Sequence, residues 1–400
     1  MREDIAVNDV QVPGFLAAAG SAGLNKKREK DLGIIFSRVP ATVAGVFTRN
    51  LIKAAPVLLD MERIHSGRCQ AIVANSGNAN ACTGDQGIKA AKAVARATAD
   101  ALQIDESLVM VASTGVIGKV LETRGIEATL GGIVRKLDPS GLPDVSHAIM
   151  TTDKVPKIVS RKGSISGKEF TVTAMTKGAG MIRPDMATML CFVCTDIAAP
   201  RDILQESLTK AVNKSFNIIT IDGDTSTNDT VLLLANGLSG ITLNSTESME
   251  AFQDLLDALL IELARMIVRD GEGATKLINI NVEGGATTSD AFAVAATVAD
   301  STLVKTAIYG EDANWGRILA AAGRAGVPLS PAAIDIYFDD ICMAKSGQGM
   351  GATAEAAVTE VLKKDEFTIT IDLNAGKKKA RVITCDLSLD YVRINADYRT

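Results

Sequence analysis

The sequence predicts an α/β protein of mixed α+β layers, with a smaller α+β unit at its carboxyl end. Of its 400 residues, 47% are hydrophobic, only 4% are aromatic and 34 are glycine. This composition is typical of closely packed layers joined by sharp turns. Helical and strand-like patterns interleave without a regular βαβ alternation or a repeat of fixed period. We expect a main α/β region over residues 1–275 and an α+β domain over 276–400.

Four stretches predict helices. Residues 85–102 are rich in alanine and other strong helix formers. Between residues 248 and 269, large apolar residues recur with the 3.6-residue helical period, and Gly271 ends the pattern. Residues 201–212 and 354–362 are shorter candidates.

Short apolar or alternating runs predict the strands. Five of them lie at residues 71–74, 108–111, 189–193, 231–234 and 278–282. Near the carboxyl end, FTITIDL (367–373) and RVITCDLSL (381–389) alternate apolar and polar residues, which is typical of half-buried strands. Because the turn-forming Asn374-Ala375-Gly376 lies between them, we expect these two runs to pair as an antiparallel hairpin.

Charge and hydropathy exclude several classes of protein. A formal net charge of −5 and a pI near 5.3 do not favour binding to nucleic acid or to an anionic membrane. No run approaches the roughly 18 apolar residues of a membrane span, and the amino-terminal segment lacks a signal-peptide core. The basic clusters at 26–30 and 377–379 are interpreted as solvated loops. We expect a cytoplasmic enzyme.

The cysteines and histidines predict neither a metal site nor a serine-protease-like triad. Cys191 and Cys194 are separated by two residues, but no second pair or histidine follows at zinc spacing. We therefore expect all six cysteines to be buried, reduced thiols. His65 and His147 lack nearby partners and are interpreted as structural.

Glycine-rich turns predict no nucleotide site. The run from Gly115 to Val120 lacks the spacing of a phosphate-binding loop, and no dinucleotide-binding fingerprint follows a strand. The turn Ser113-Thr114-Gly115 directly follows the strand-like LVMVA and offers N–H and hydroxyl donors. Such donors can form an oxyanion hole for a tetrahedral intermediate, but the spacing alone favours a plain strand-to-helix turn.

Thr188 lies directly before a strand-like run, within GAGMIRPDMATMLCF (178–192). A threonine can supply its own base, because cleavage of the preceding bond frees an α-amino group beside the hydroxyl. The pKa of such a group is about 7.7–8.0, and burial brings it closer to neutral pH. The broken bond would be Ala187–Thr188. The alternative is an ordinary hydroxyl at the start of a strand.

Motifs along nearly the whole chain resemble the ornithine acetyltransferase family, also called glutamate N-acetyltransferase (ArgJ type). KGAGMIRPDMATML (177–190) is similar to its self-processing segment. Further matches, in family order, are FTRNLIKAAPV (47–57), NSGNANACTG (75–84), STGVIG (113–118), TTDKVPK (151–157), DGDTSTNDTVLLLANG (222–237), RDGEGATK (269–276), GEDANWGRI (310–318) and YVRINADYRT (391–400).

This resemblance implies a precursor that cleaves itself into an α chain, 1–187, and a β chain, 188–400. Thr188 would then be the nucleophile that takes the acetyl group of N-acetylornithine and passes it to glutamate, a ping-pong step of arginine biosynthesis. The implied fold is related to the DmpA group of self-processing aminopeptidases and is distinct from true Ntn hydrolases. The implied assembly is an α2β2 heterotetramer.

The resemblance also implies roles for individual residues. Thr114 and Gly115 would form the oxyanion hole. The substrate pocket would be lined by Thr151, Lys177, Thr188, Glu272, Asn395 and Thr400. Lys177 suits a substrate carboxylate and Glu272 a substrate ammonium group. No cofactor is expected. Some family members also use acetyl-CoA as a co-substrate and others use only acetylornithine, and no residue pattern distinguishes these two kinds of enzyme.

Two other functions fit parts of the sequence. A self-processing amidase or aminopeptidase would use the same threonine, with water in place of glutamate. A small-ligand-binding regulatory protein would never cleave and would remain one chain of 42 kDa.

Overall fold

The structure, a computed structural model, describes residues 10–25, 28–183 and 189–397. Within these ranges the strands are β1 Phe15–Gly20, β2 Leu32–Phe47, β3 Arg68–Asn75, β4 Val109–Ser113, β5 Lys157–Ile165, β6 Lys168–Lys177, β7 Leu190–Thr195, β8 Thr230–Ala235, β9 Leu277–Gly285, β10 Asp335–Phe338, β11 Ile341–Lys345, β12 Gln348–Gly349, β13 Glu366–Asp372 and β14 Lys378–Cys385. The helices are α1 Ala55–Arg63, α2 Gly84–Leu102, α3 Thr123–Val134, α4 Leu142–Ala148, α5 Arg201–Lys214, α6 Thr246–Arg269, α7 Thr288–Ala299, α8 Thr302–Tyr309, α9 Trp315–Gly323, α10 Ala352–Leu362 and α11 Leu389–Asp397.

The predicted mixed α/β class is confirmed, and so are the four predicted helices, which correspond to α2, α5, α6 and α10. The five apolar strand candidates are also confirmed, as β3, β4, β7, β8 and β9. A capping box in which Ser245 and Ser248 satisfy each other's backbone N–H groups starts α6. Its apolar stripe, including Phe252 and Leu263, is buried.

An eight-stranded sheet has the order β4-β3-β2-β8-β7-β6-β5, with β1 added beside β2. The long strand β2 pairs with β3 through its first part and with β8 through its last part. Its register with β3 breaks between Phe36 and Ala41. Pro40 lies in this break, where a residue without a backbone N–H does not interrupt the ladder.

Apolar side chains from both parts of this sheet share one cluster, which contains Ile35 and Ile72 from one part and Leu232 and Phe192 from the other. The sheet therefore bends over on itself at the break in β2 and encloses a core. On the outer surfaces, α2 and α3 cover β3 and β4, while α5 and α6 cover β6, β7 and β8. The result is four layers, helix–sheet–sheet–helix.

A six-stranded sheet has the order β12-β11-β10-β13-β9-β14. Helices α7, α9 and α10 pack on it around a separate apolar cluster. Its edge strand β14 contributes Ile383 and Cys385 to the cluster beneath α6, which joins the two sheets.

The predicted hairpin between residues 367–373 and 381–389 is wrong. The two strands run in opposite directions, but β9 lies between them, parallel to β13 and antiparallel to β14. Since Ile278, Ile280 and Val282 are fully buried, β9 belongs at the centre of the sheet and needs a partner on each edge. The turn at Asn374 instead crosses the end of β9, where Ala375 N–H donates to the carbonyl of Gly284 (2.8 Å).

Four of the six cysteines are buried as predicted, but Cys82 is exposed and Cys342 is partly exposed. Cys82 lies in a loop with left-handed backbone (φ 57°), and Cys342 lies on β11 next to the edge strand. Cys191 and Cys194 point to opposite faces of β7 and belong to different clusters, so they do not form a pair.

No single helix in the described part of the chain is long and apolar enough to cross a membrane. Helices α7 and α8 satisfy that criterion only jointly, as a pair bent by 56°.

Candidate active site

A cavity of about 240 Å³ lies at the open edge of the bent sheet, where its two parts face each other. The carboxyl ends of β4 and β6 and the loops that follow α4 and α6 meet there. Six residues named by the family resemblance line this cavity: Thr114, Gly115, Thr151, Lys177, Glu272 and Asn395. Ala187, Thr188 and Thr400 lie outside the described residues, so their roles stay predictions.

Gly115 lies on a turn that only glycine can form. Its φ of +130° is in the region that favours glycine, and a Cβ there would lie 2.4 Å from the carbonyl carbon of Gly77. The turn after β4 therefore packs backbone against backbone on the loop after β3. Among the described residues, the Gly115 N–H has no hydrogen-bond acceptor, so it can donate to a ligand in the cavity.

Lys177, the last residue of β6, is 2% exposed. Its ammonium group donates to the hydroxyls of Thr114 (3.2 Å) and Thr151 (2.9 Å), and no ion pair joins it to a carboxylate in the described ranges. Burial lowers the pKa of Lys177, while the nearby Asp153 and Glu272 oppose that shift. An incompletely paired cation at the cavity wall is suited to a carboxylate ligand.

A buried cluster of three charged side chains lies next to Lys177. Lys157 contacts the carboxylates of Asp153 (2.8 Å) and Asp270 (2.6 Å), and all three side chains are almost completely buried. Although burial raises the pKa of Asp153, the ammonium groups of Lys177 and Lys157 hold it well below its usual range. Asp153 also accepts the N–H of Gly178 (2.7 Å), which fixes the chain directly after Lys177.

Arg28 belongs to the basic cluster that the sequence analysis interprets as a solvated loop, and for this residue that interpretation is wrong. Its guanidinium group donates to the carbonyls of Thr151 (3.0 Å) and Asp153 (2.9 Å). Arg28 therefore holds the loop that carries one of the hydroxyl partners of Lys177.

Glu272 places a carboxylate on the cavity wall and is 7% exposed. Its N–H donates to the carbonyl of Ala179 (2.7 Å), so the loop after α6 is tied to the segment after β6. Asn395 on α11 donates to the Glu272 carboxylate (2.7 Å). α11 reaches the cavity because it rests on Gly273, where a Cβ would lie 2.4 Å from the backbone nitrogen of Tyr391.

Asp222 is a second carboxyl group in the cavity that the sequence analysis did not single out. It accepts the N–H groups of Met181 (2.6 Å) and Ile182 (2.9 Å) and contacts the Tyr391 hydroxyl (3.3 Å). Burial raises the pKa of Asp222 to about 6. Burial and this carboxyl together also raise the pKa of Tyr391.

Asn228 and Asp229 join the two parts of the sheet, and the sequence analysis gave them no role. The Asn228 amide donates to the carbonyls of Ala79 (2.7 Å) and Ser113 (2.8 Å). The Asp229 carboxylate accepts the N–H of Met189 (2.9 Å), the first described residue before β7. The sequence feature that could have indicated a functional role is the run of polar residues DGDTSTND, directly before the buried strand β8.

His65 and His147 are exposed and do not line the cavity. No cluster of three or more His, Cys, Asp or Glu side chains suited to a metal ion occurs among residues 10–25, 28–183 and 189–397.

Sequence relatives match almost the full chain, and two solved structures match about half of it. The arginine biosynthesis bifunctional protein ArgJ of Syntrophotalea carbinolica is 51% identical over 394 residues, covering 98% of this chain and 100% of that protein. A crystal structure of arginine biosynthesis bifunctional protein ArgJ from Bacillus halodurans is 42% identical and covers 52% of this chain and 98% of its own, with a TM-score of 0.49.

A crystal structure of ornithine acetyltransferase complexed with ornithine, from Mycobacterium tuberculosis, is 36% identical. It covers 44% of this chain and 94% of its own, with a TM-score of 0.39. The sequence model of the ArgJ family matches residues 16–400. The chain therefore belongs to the ArgJ family.

Proposed function

We propose that this protein transfers the acetyl group of N-acetylornithine to glutamate through an acetyl ester on Thr188. The observation that carries the proposal is the charge arrangement of the cavity, in which buried Lys177 and Glu272 face the same space beside the Gly115 turn. Family membership supports it, since the relatives are named for arginine biosynthesis.

The cavity suits an acetylated amino acid. Lys177 would bind the α-carboxylate and Glu272 the side-chain ammonium group of ornithine, each through a charge-assisted hydrogen bond. The Gly115 N–H and the Thr114 hydroxyl would then donate to the acetyl oxygen as it becomes negative in the tetrahedral intermediate.

The proposed chemistry begins with cleavage of the Ala187–Thr188 bond, which frees the Thr188 amine. That amine takes the hydroxyl proton while the hydroxyl oxygen attacks the acetyl carbonyl. The bond from the acetyl carbon to the ornithine nitrogen then breaks, and the proton passes to this nitrogen. In the second half-reaction the amine of glutamate attacks the acetyl carbon, the bond from that carbon to the Thr188 oxygen breaks, and a proton from the attacking amine passes through the Thr188 α-amino group to the hydroxyl.

Denaturing electrophoresis with intact mass and amino-terminal sequencing, on the wild type and Thr188→Ala, tests the cleavage. The wild type should give two fragments, the second beginning Thr-Met-Leu-Cys, and the variant one chain. Acetyl label from acetylornithine alone should appear on Thr188 of the wild type. A wild type that stays whole yet transfers acetyl to glutamate, or label on another residue, would refute the mechanism.

A self-processing amidase is the nearest alternative, because it uses the same nucleophile. It predicts release of acetate from acetylornithine at a rate that glutamate does not change, whereas the transferase consumes acetylornithine rapidly only when glutamate is present. A whole chain without either activity would instead favour the ligand-binding protein.

Four further expectations accompany this proposal. We propose that the two fragments assemble as an α2β2 heterotetramer, that the enzyme acts in the cytoplasm and that it needs no cofactor, with acetyl-CoA as an additional substrate to be tested. The division at residue 276 into a main region and a carboxyl-terminal domain also stays a prediction.

A further inference from the structure

The neighbouring residues Asn228 and Asp229 contact the two parts of the bent sheet through their side chains. Both are buried, with exposures of 5% and 0%. Asn228 reaches the part of the sheet that contains β3 and β4, and Asp229 reaches the start of β7. Two consecutive side chains therefore connect the turn at Thr114 and Gly115, here called the oxyanion turn, with β7, the strand that Thr188 precedes in sequence.

The contacts of Asn228 hold both sides of the Gly77–Gly115 contact. Ala79 lies two residues after Gly77, and Ser113 lies two residues before Gly115. The Asn228 amide donates one hydrogen bond to each carbonyl, and its oxygen accepts the Thr227 hydroxyl (2.6 Å), which fixes the orientation of the amide. An amide nitrogen is required here, because only its two N–H groups can satisfy two carbonyls at once.

The contact of Asp229 fixes the entry to β7. Its carboxylate accepts the Met189 N–H, and the next residue, Thr230, donates its own N–H to the Met189 carbonyl (3.1 Å). Both backbone groups of Met189 are thus bound by consecutive residues. Burial raises the pKa of Asp229 well above its ordinary value, which favours a neutral carboxyl group that accepts an N–H as an amide oxygen does.

We infer that Asn228 and Asp229 are positioning residues, which set the distance between the oxyanion turn at Gly115 and the start of β7 at Met189. The inference rests on the proposed function, because this distance matters only if a group at the start of β7 attacks a carbonyl held at Gly115. Displacement of a reacting group by about 1 Å can lower a rate about 100-fold.

Kinetics of acetyl transfer by Asn228→Asp test the first contact. The aspartate keeps the shape of the side chain but offers oxygens, which repel the carbonyls of Ala79 and Ser113. We expect kcat to fall about 100-fold, with KM close to the wild-type value. The matched control is Asn236→Asp, since Asn236 also donates to one main-chain carbonyl, that of Pro13 (2.8 Å), but lies outside the cavity. Unchanged kcat in folded Asn228→Asp would overturn the inference.

The pair Asp229→Asn and Asp229→Ala tests the second contact. The asparagine oxygen can still accept the Met189 N–H, so this variant should retain most of the wild-type kcat, whereas alanine should lose it. Equal losses in both variants would overturn a purely positioning role. This pair decides the inference by itself if Asn228→Asp does not fold.

Hydrogen exchange of the Met189 amide separates this inference from the proposed function. Exchange should be faster in Asp229→Ala than in the wild type and should be unchanged in Asp229→Asn. If the wild type transfers no acetyl group, the proposed function fails, and the positioning role for this reaction fails with it. If the wild type is active but Met189 exchanges alike in all three proteins, only the inference fails.

Discussion

The carboxylate of Glu272 lies directly over the α-carbon of Gly180. A Cβ at position 180 would be 2.5 Å from the carboxyl carbon of Glu272, closer than any real contact. The Glu272 carboxylate can therefore occupy this position only because residue 180 has no side chain. Asn395 fixes the same carboxylate from the other side (2.7 Å).

Gly180→Ala should weaken substrate binding without unfolding the protein. The added methyl group displaces Glu272 from the cavity wall, so a charge-assisted contact of about 1.5–3 kcal/mol is impaired and KM for acetylornithine should rise about tenfold or more. Steady-state kinetics and thermal melting measure the two effects. Gly132→Ala, on α3 with open space around its α-carbon, is the matched control. A wild-type KM in Gly180→Ala would contradict the role of Glu272.

Lys177→Met should remove the binding of the substrate carboxylate while filling the same buried volume. We expect kcat/KM to fall about 10- to 100-fold, the value of a lost charged hydrogen bond. Lys168→Met, at the exposed start of the same strand β6, should have no effect.

The pH profile provides a separate test of Lys177. Because burial lowers its pKa, the cation is present at low pH and is lost as the pH rises through a value below that of an ordinary lysine. KM for acetylornithine should therefore increase on the alkaline side in the wild type. This increase should be absent in Lys177→Met, and its persistence there would assign it to another group.

Asp222 should make the folded protein less stable as the pH rises from about 4 to about 6. Its pKa is raised from 3.8 to about 6, so the folded protein holds the proton more tightly than the unfolded chain does. The resulting stabilisation is complete below the unfolded pKa and disappears above the folded one, a change of up to about 3 kcal/mol. In Asp222→Asn this component should be missing from the dependence of the melting temperature on pH. Asp254→Asn, exposed on α6, should keep it.

Arg28→Met should impair the site from a distance. It removes two donors from the carbonyls of Thr151 and Asp153, and each lost hydrogen bond costs about 1 kcal/mol. We expect KM to rise about fivefold or more, with partial recovery in Arg28→Lys, which can make only one of the two contacts well. Arg161→Met, which removes an exposed ion pair with Glu262, is the control and should be neutral.

Local patterns in the sequence predict the helices and strands well but do not predict which strands pair. The period of 3.6 residues locates α6 because every turn of that helix buries one face. The alternation in β13 and β14 shows that each is half buried, but it contains no information on the strand between them. The insertion of β9 between them follows from its own burial, since Ile278, Ile280 and Val282 pack against α7, and neither alternating run contains that information.

The candidate site could be approached from the sequence only through the family resemblance. Lys177 and Glu272 have no local feature that separates them from surface residues, and their burial results from loops that meet in three dimensions. Arg28 and Asn228 act through main-chain carbonyls, which every residue has, so their partners leave no mark in the sequence. Gly115 is the exception, because the sequence places it in a turn directly after the strand-like LVMVA, where backbone N–H donors are expected.

The order of strands in the bent sheet determines how cleavage at Ala187–Thr188 would affect the protein. Strands β8 and β7, which follow such a cut, lie between β2 on one side and β6 on the other, both of which precede it. Each fragment alone would therefore have a sheet with missing neighbours and two unpaired edges. The two polypeptides would share one sheet and could separate only by unfolding. Folding of the uncut chain is independent of protein concentration, whereas refolding of the cut protein would require two polypeptides to meet and would depend on the concentration of both.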